Sequence, residues 1–306
     1  MVISKCLGFE HCRYDGQMVP CDIVKDLRPF VEFITVCPEC EIGLGVPRDP
    51  IRLVHRETMR LVQPSTGQDI TNRMQVFVSD FLDNLPDVDG SILKSKSPSC
   101  GFRTTKVFSS AEAQDPVHRH GTGFLAKGIL DRFANLTYAD EASLMDKRIR
   151  EHFLTSLFIQ ADLRLHHSSI QELMDFQTRN KLLLMAYDQR QLKVLGRILA
   201  DHKHRSFTEN VTAYVNTLQG MTSVPPSRSN FTNAFMHALG YFSHRLGSDK
   251  RQYLLDCIEA YRKGTLTLWE LRKAMIPWIV EFHVDYLTDQ TLFYPYPENL
   301  DVLHPV

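Results

Sequence analysis

Over roughly the first 140 residues, short apolar runs alternate with stretches of helical spacing. Residues 2–7, Phe30 to Val36 and Gly90 to Lys94 read as strands, and each ends in or runs on into a segment holding a thiol. Asp22 to Arg28 predicts a short helix. Asp69 to Leu85 places Met74, Phe77, Val78, Phe81 and Leu82 on one helical face, which reads as core. Ile51 to Val62 predicts a hairpin-like excursion, residues 102–120 a loop, and Gly121 to Phe133 a strand or loop leading into a helix. Leu136-Thr137 predicts a last short strand. This alternation predicts a small Rossmann-like α/β domain over residues 1–140. From Glu141 the apolar period is helical throughout, in the segments 141–164, 168–185, 188–201, 206–219, 229–245, 248–263 and 267–283, so residues 141–306 predict an all-helical domain. Breaks fall at Ser168-Ser169, Pro225-Pro226 and Gly264, and Pro277 predicts a kink or a split in the last segment.

Composition narrows the class. The chain has 306 residues, 43% of them apolar, and a formal charge of -1, so it can bury a large core and has no global field that calls for nucleic acid or membrane. No apolar run approaches a transmembrane length, and the start of the chain reads as a strand, not a signal peptide, so a cytoplasmic location is expected. Charge becomes informative only locally. Residues 179–205 hold seven Lys and Arg against two Asp, with Arg190, Lys193 and Arg197 spaced for one helix face. Such a face is either simply solvated or a contact for a phosphate backbone.

Cysteine position changes the picture more. Six of the seven cysteines lie in the first hundred residues. In a reducing cytosol, clustered thiols point to metal or catalysis and not to disulfides. Cys6, Cys37 and Cys100 each follow a predicted strand, where α/β sheets place their ligands. Cys37-Pro38-Glu39 adds a rigid bend and a carboxylate, and Cys100 is preceded by Lys96, Ser97 and Ser99. Arg13 brings a cation near the thiols, Asp15-Gly16 marks a tight turn, and Arg48 after a Gly-rich loop is a candidate anion or substrate contact. Three thiols without a fourth partner fit a catalytic zinc with an open position, or an iron–sulfur cluster with one iron free of protein ligands. None of the three has a neighbouring histidine, which favours iron and sulfur. The plain alternative for any one of them is a buried structural cysteine.

The ordered set Cys6-Leu7-Gly8, Cys12-Arg13-Tyr14-Asp15-Gly16, Val36-Cys37-Pro38-Glu39, Gly43-Leu44-Gly45-Val46-Pro47-Arg48 and Lys96-Ser97-Pro98-Ser99-Cys100-Gly101 resembles the TudS family of thiouracil desulfidases. Farther on, Phe176-Gln177-Thr178-Arg179-Asn180-Lys181 through Ala186, Leu195-Gly196-Arg197-Ile198 and Gln290 to Pro297 resemble the YbgA-like domain. The tandem arrangement is similar to fused TudS–YbgA proteins that take sulfur from 4-thiouridine in tRNA.

This resemblance implies a [4Fe-4S] cluster held by Cys6, Cys37 and Cys100, with one iron not bound by protein. It implies Glu39 as general base or proton shuttle, with Ser97 or Ser99 orienting the base or the water. Cys12 is expected beside the cluster and not on it; Cys40 and Cys21 match no ligand position. Substrate or tRNA contacts are expected at Arg13, Asp15, Arg48 and Lys96, and from Arg190, Lys193 and Arg197. The leading expectation is a tRNA 4-thiouridine desulfidase. Alternatives are a desulfidase of free thiouracil or thionucleosides, or a non-catalytic iron–sulfur protein that binds nucleic acid or senses redox state. The oligomeric state is open.

Overall fold

The computed structural model describes residues 1–133 and 136–300. Its strands are β1 (Val2–Ser4), β2 (Ile34–Val36), β3 (Arg52–His55), β4 (Met59–Gln63), β5 (Gln68–Asp69), β6 (Gly90–Leu93), β7 (Thr105–Phe108), β8 (His118–Gly121) and β9 (Thr137–Asp140). Its helices are α1 (Asp22–Leu27), α2 (Pro38–Glu41), α3 (Thr71–Asp83), α4 (Phe124–Arg132), α5 (Lys147–Leu165), α6 (Ile170–Tyr187), α7 (Gln189–Ala200), α8 (Phe207–Thr222), α9 (Arg228–Gly240), α10 (Ser248–Lys263), α11 (Leu268–Glu281) and α12 (Asp285–Thr288). The chain divides into two compact units, Met1–Phe153 and Leu154–Val306. The first is α/β and the second is helical.

In the first unit, one parallel sheet has the order β2-β1-β6-β9. Parallel strands bring all their carboxyl ends to one edge, so the segments after β2, β1 and β6 emerge side by side. Val2, Ile3, Ile92 and Leu93 are fully buried, as apolar runs in a parallel sheet should be. A second, mixed sheet has the order β5-β4-β3-β7-β8. The β3–β4 pair is the hairpin expected over Ile51 to Val62. Residues 102–120, expected as loop, instead supply β7 and β8. Tertiary pairing of β7 with β3 overrides a polar sequence that offers no clear alternation. One apolar core joins Val2, Val36 and Leu93 to Leu53, Leu61 and Val107, and is closed by Met74 and Val78 of α3 and Leu125 and Ile129 of α4.

Two local details differ from expectation. Pro38 does not simply end the strand in a bend; it opens a one-turn helix, α2, where its missing N–H costs nothing. Pro277 does not split its segment. It sits inside α11, which starts on a capping box between Thr267 and Glu270 and buries Leu271, Met275 and Ile279. That buried face, worth about 1.5–3 kcal/mol per large apolar side chain, outweighs one lost backbone hydrogen bond.

The second unit packs α6, α7, α8 and α9 around Phe176, Leu183, Leu195, Tyr214, Ala234 and Phe235. The buried Gln290 side chain donates to Thr178 O at 2.8 Å and accepts from Leu182 N at 3.0 Å, which ties the C-terminal segment to α6. Among the described residues, no helix is long and apolar enough to cross a membrane.

Candidate functional site

The three strand-end thiols meet on one cavity of about 910 Å³. Cys6 follows β1, Cys37 caps α2 directly after β2, and Cys100 lies in the loop that leaves β6. All three are buried and all three line the cavity, together with Glu39, Ser97 and Ser99. Burial pushes the Cys100 thiol up to about 12. The Cys37 thiol is also raised, first by its hydrogen bond to Cys12 and then by burial. Thiols held neutral in this way release protons when they take a metal.

Glu39 is gripped from two sides. Arg48 Nε and Nη2 both donate to its Oε2, at 2.9 and 2.7 Å, with the arginine side chain only 4% exposed. On the other oxygen, Ser99 Oγ donates to Oε1 at 2.7 Å. Ser97 Oγ is farther from Oε1, at 3.4 Å, and accepts from the backbone N–H groups of Cys100 and Ser99 at 3.2 and 3.3 Å. So the two serines are placed differently: Ser99 makes the short contact to the carboxylate, while Ser97, 3.0 Å from the Ser99 hydroxyl, also receives the backbone N–H groups of the loop. Arg48 also donates from Nη1 to Cys12 O and Gly45 O, so its fork is engaged by the protein.

The serine and cysteine loop is clamped at both ends. At its start, Ser95 N and Oγ donate to Glu141 at 2.8 and 2.6 Å, and Lys94 Nζ pairs with the same carboxylate. At its far end, Leu125 N and Gly123 N donate to the carbonyls of Ser99 and Gly101, both at 2.8 Å. Gly123 lies so close that a Cβ there would meet Ser99 backbone at 2.5 Å.

Beyond the thiols the cavity wall is cationic. Glu39 is the one acid among the described lining residues, whereas Lys96, Arg103, Lys106 and Arg119 are exposed at the mouth and have no ion-pair partner among the described residues. Of the residues singled out in the sequence, Arg13 and Lys96 line the cavity; Asp15 pairs with Arg13 at 3.3 Å and is not part of the lining. Arg190, Lys193 and Arg197 are exposed along α7 of the second unit. Sequence reading misses Arg103, Lys106 and Arg119 because they sit on the unrecognised β7–β8 hairpin and its approach. It also misses the Arg48–Glu39 pair, although nine residues with two intervening left-handed glycines, Gly43 and Gly45, allow the chain to double back.

Fold and site together define an α/β domain with a thiol- and carboxylate-bearing cavity at its strand ends, joined to an all-helical domain. Residues 1–141 match the family model described as 2-thiouracil desulfurase. Residues 181–297 match the model described as a protein of unknown function, DUF1722. The uncharacterized protein YbgA of Escherichia coli is 27% identical over 133 residues, 43% of this chain and 79% of that protein. The uncharacterized protein YbbK of Bacillus subtilis is 29% identical over 110 residues, 33% of this chain and 72% of that protein. The solved structure of the [4Fe-4S]-dependent thiouracil desulfidase TudS covers 47% of this chain and 92% of its own, at 24% identity and a TM-score of 0.38. The two family matches stand in tandem, 2-thiouracil desulfurase ahead of DUF1722, and together with the YbgA likeness they support a fused TudS/YbgA-type protein.

Proposed function

We propose that this protein is an iron–sulfur desulfidase that removes sulfur from 4-thiouridine in tRNA. The observation that carries the reading is one cavity that combines three strand-end thiols, a Glu39–Ser99 contact of 2.7 Å and exposed lining cations, Lys96, Arg103, Lys106 and Arg119, with no ion-pair partner among the described residues. The donor set fits a [4Fe-4S] group: three soft thiols come from three adjacent strands, and the nearby carboxylate is committed to Arg48 and Ser99 instead of competing for iron. Cys6, Cys37 and Cys100 would hold it. When bound, such a group supplies a soft Lewis acid at its iron without a protein ligand.

The chain's own residues supply the proton path. Arg48 fixes the orientation of Glu39 and offsets its charge, leaving Oε1 toward Ser99. Ser99 Oγ can accept a proton from an attacking water while passing its own to Oε1. Overall, one water enters, the C–S bond becomes C–O, and hydrogen sulfide leaves with no change in oxidation state. Lys96, Arg103, Lys106 and Arg119 would meet the phosphates flanking the base, and the exposed Arg190, Lys193 and Arg197 offer a second phosphate contact. A second reading, desulfuration of free thiouracil or thionucleosides, is favoured by the cavity volume of about 910 Å³, within the range of small-ligand sites.

The test is anaerobic purification followed by visible spectroscopy, then the near-ultraviolet absorbance of 4-thiouridine in bulk tRNA beside that of free 4-thiouracil. A brown protein that bleaches tRNA is expected. Iron-free protein would reject the cluster, and consumption of the free base alone would reject the tRNA substrate.

A further inference from the structure

We propose that Cys37 and Cys40 form a dithiol–disulfide pair, and that the disulfide withdraws Cys37 from the cluster, so that loading depends on thiol redox state. This inference rests on the cluster reading above, because it needs Cys37 as a ligand. It gives a role to Cys40, a thiol which that reading leaves unused.

Cys37-Pro38-Glu39-Cys40 has the Cys-x-x-Cys spacing of dithiol redox pairs. Cys37 caps α2 in an extended conformation, and Cys40 lies in its single turn, with Cys40 N donating to Cys37 O at 3.0 Å. Residues three apart across a helical turn hold their Cβ atoms about 5–6 Å apart, and a disulfide needs about 3.5–4.5 Å, so closing the bond asks for a small adjustment of one short turn. The two sulfurs already face the same groups. Cys37 Sγ and Cys40 Sγ lie 3.6 and 3.7 Å from one carbonyl oxygen, that of Cys12. Arg48 approaches both as well, with Nη2 at 4.0 Å from Cys37 Sγ and Nη1 at 3.6 Å from Cys40 Sγ. Two sulfurs that share a carbonyl and a guanidinium occupy one corner of the site.

Their exposure sets an order of reaction. Cys40 is partly exposed, whereas Cys37 is buried. A small-molecule disulfide is the oxidant. The Cys40 sulfur attacks it, one S–S bond breaks, a mixed disulfide forms on Cys40, and one small thiol leaves with the Cys40 proton. The Cys37 sulfur then attacks the Cys40 sulfur, forms the Cys37–Cys40 bond and releases the second small thiol with the Cys37 proton. Two cysteine sulfurs are oxidised, one small disulfide is reduced to two thiols, and nothing else is consumed. A sulfur bonded to a second sulfur has no thiolate to give to iron, so disulfide and cluster exclude one another. The bond also holds Cys37 at an oxidation level that thiols reverse, short of sulfinic acid.

The experiment starts from wild type and Cys40→Ser, both purified without oxygen. One portion of each is kept as purified, and iron is removed from another with a chelator. Iron is counted, and all portions are treated with oxidised glutathione under argon, blocked with iodoacetamide and digested with trypsin. Cys37 and Cys40 fall in one tryptic peptide, residues 26–48, so their disulfide reads as that peptide lacking both alkyl groups and two hydrogens lighter than the dithiol. Expected is the disulfide in iron-free wild type and not in loaded wild type, with both thiols restored by dithiothreitol. Cys40→Ser should load as much iron as wild type and give no such peptide. Iron-free wild type with both thiols alkylated, or with Cys37 bonded to Cys6, Cys12 or Cys100, would overturn the pair. The disulfide in protein that keeps its full iron would overturn the exclusion, and failure of Cys40→Ser to hold iron would make Cys40 a ligand and overturn it too. A wild type that never holds iron rejects the cluster reading and the gating with it; the peptide mass, which needs no iron, separates that result from failure of the pair.

Discussion

At the scale of single residues, the site separates groups that look equivalent in the sequence. Ser97 and Ser99 are two residues apart, and both are hydroxyls beside the same thiol. Only Ser99 makes a short bond to Glu39, at 2.7 Å, while Ser97 Oγ receives two backbone N–H groups of the loop. Replacing Ser99 by Ala should therefore lower kcat by about 10²-fold, in the range of a lost proton-transfer group, with iron content unchanged. Replacing Ser97 by Ala should cost about 1 kcal/mol of stability and reduce iron retention, with a smaller loss of kcat per cluster. Steady-state rates normalised to iron, beside thermal unfolding, distinguish the two. Equal kcat losses at equal iron content would mean that the hydroxyls share one role.

At the scale of elements, what was legible in the sequence follows from what leaves a local trace. Apolar runs before Cys6, Cys37 and Cys100 mark buried parallel strands, and their thiols need only the rule that ligands gather at strand ends. Helical periodicity likewise exposes α5 to α11. The β7–β8 hairpin leaves no such trace: His118, Arg119 and His120 are all exposed, so its outer strand has no apolar face to read. The anchoring of the active loop is equally silent, because Glu141 follows β9 and meets Ser95 across 46 residues of sequence. Although burial opposes its charge, hydrogen bonds from Lys94 and Ser95 hold the Glu141 carboxyl below its ordinary value of 4.5. As pH falls, the unfolded chain takes up this proton before the folded one does. The stabilisation is therefore complete above about pH 4.5 and lost as pH drops through the lower folded value. Glu141→Gln should be less stable than wild type at pH 7, by about 1–3 kcal/mol, and the gap should close in acid. Denaturant unfolding at pH 7 and at pH 3 measures it, and a gap that stays constant would show that the charge is not what anchors the loop.

At the scale of the whole molecule, a formal charge of -1 conceals strong local asymmetry. In the first unit, four cations without an ion-pair partner among the described residues line a cavity whose described lining holds a single acid. In the second, α7 carries Arg190, Lys193 and Arg197 along an exposed face, while other basic residues of that stretch are already neutralised: Arg179 by Asp162 at 2.7 Å and Arg205 by Asp201 at 3.1 Å. The charge available for a polyanion is thus smaller than the sequence sum and is concentrated at defined places. Binding that releases counterions from phosphates weakens in proportion to the logarithm of salt, with a slope set by the number of phosphates met. A free thiobase carries no phosphate and should show almost no slope. For tRNA, KM should rise steeply between 50 and 200 mM salt, by about 10-fold or more if several contacts form. Reversing Arg190, Lys193 and Arg197 together should flatten that slope by up to about three contacts, each removing roughly one unit, and leave turnover of the free thiobase unchanged. A variant with the wild-type slope would return α7 to the solvated surface and leave Lys96, Arg103, Lys106 and Arg119 as the cations that meet the nucleic acid.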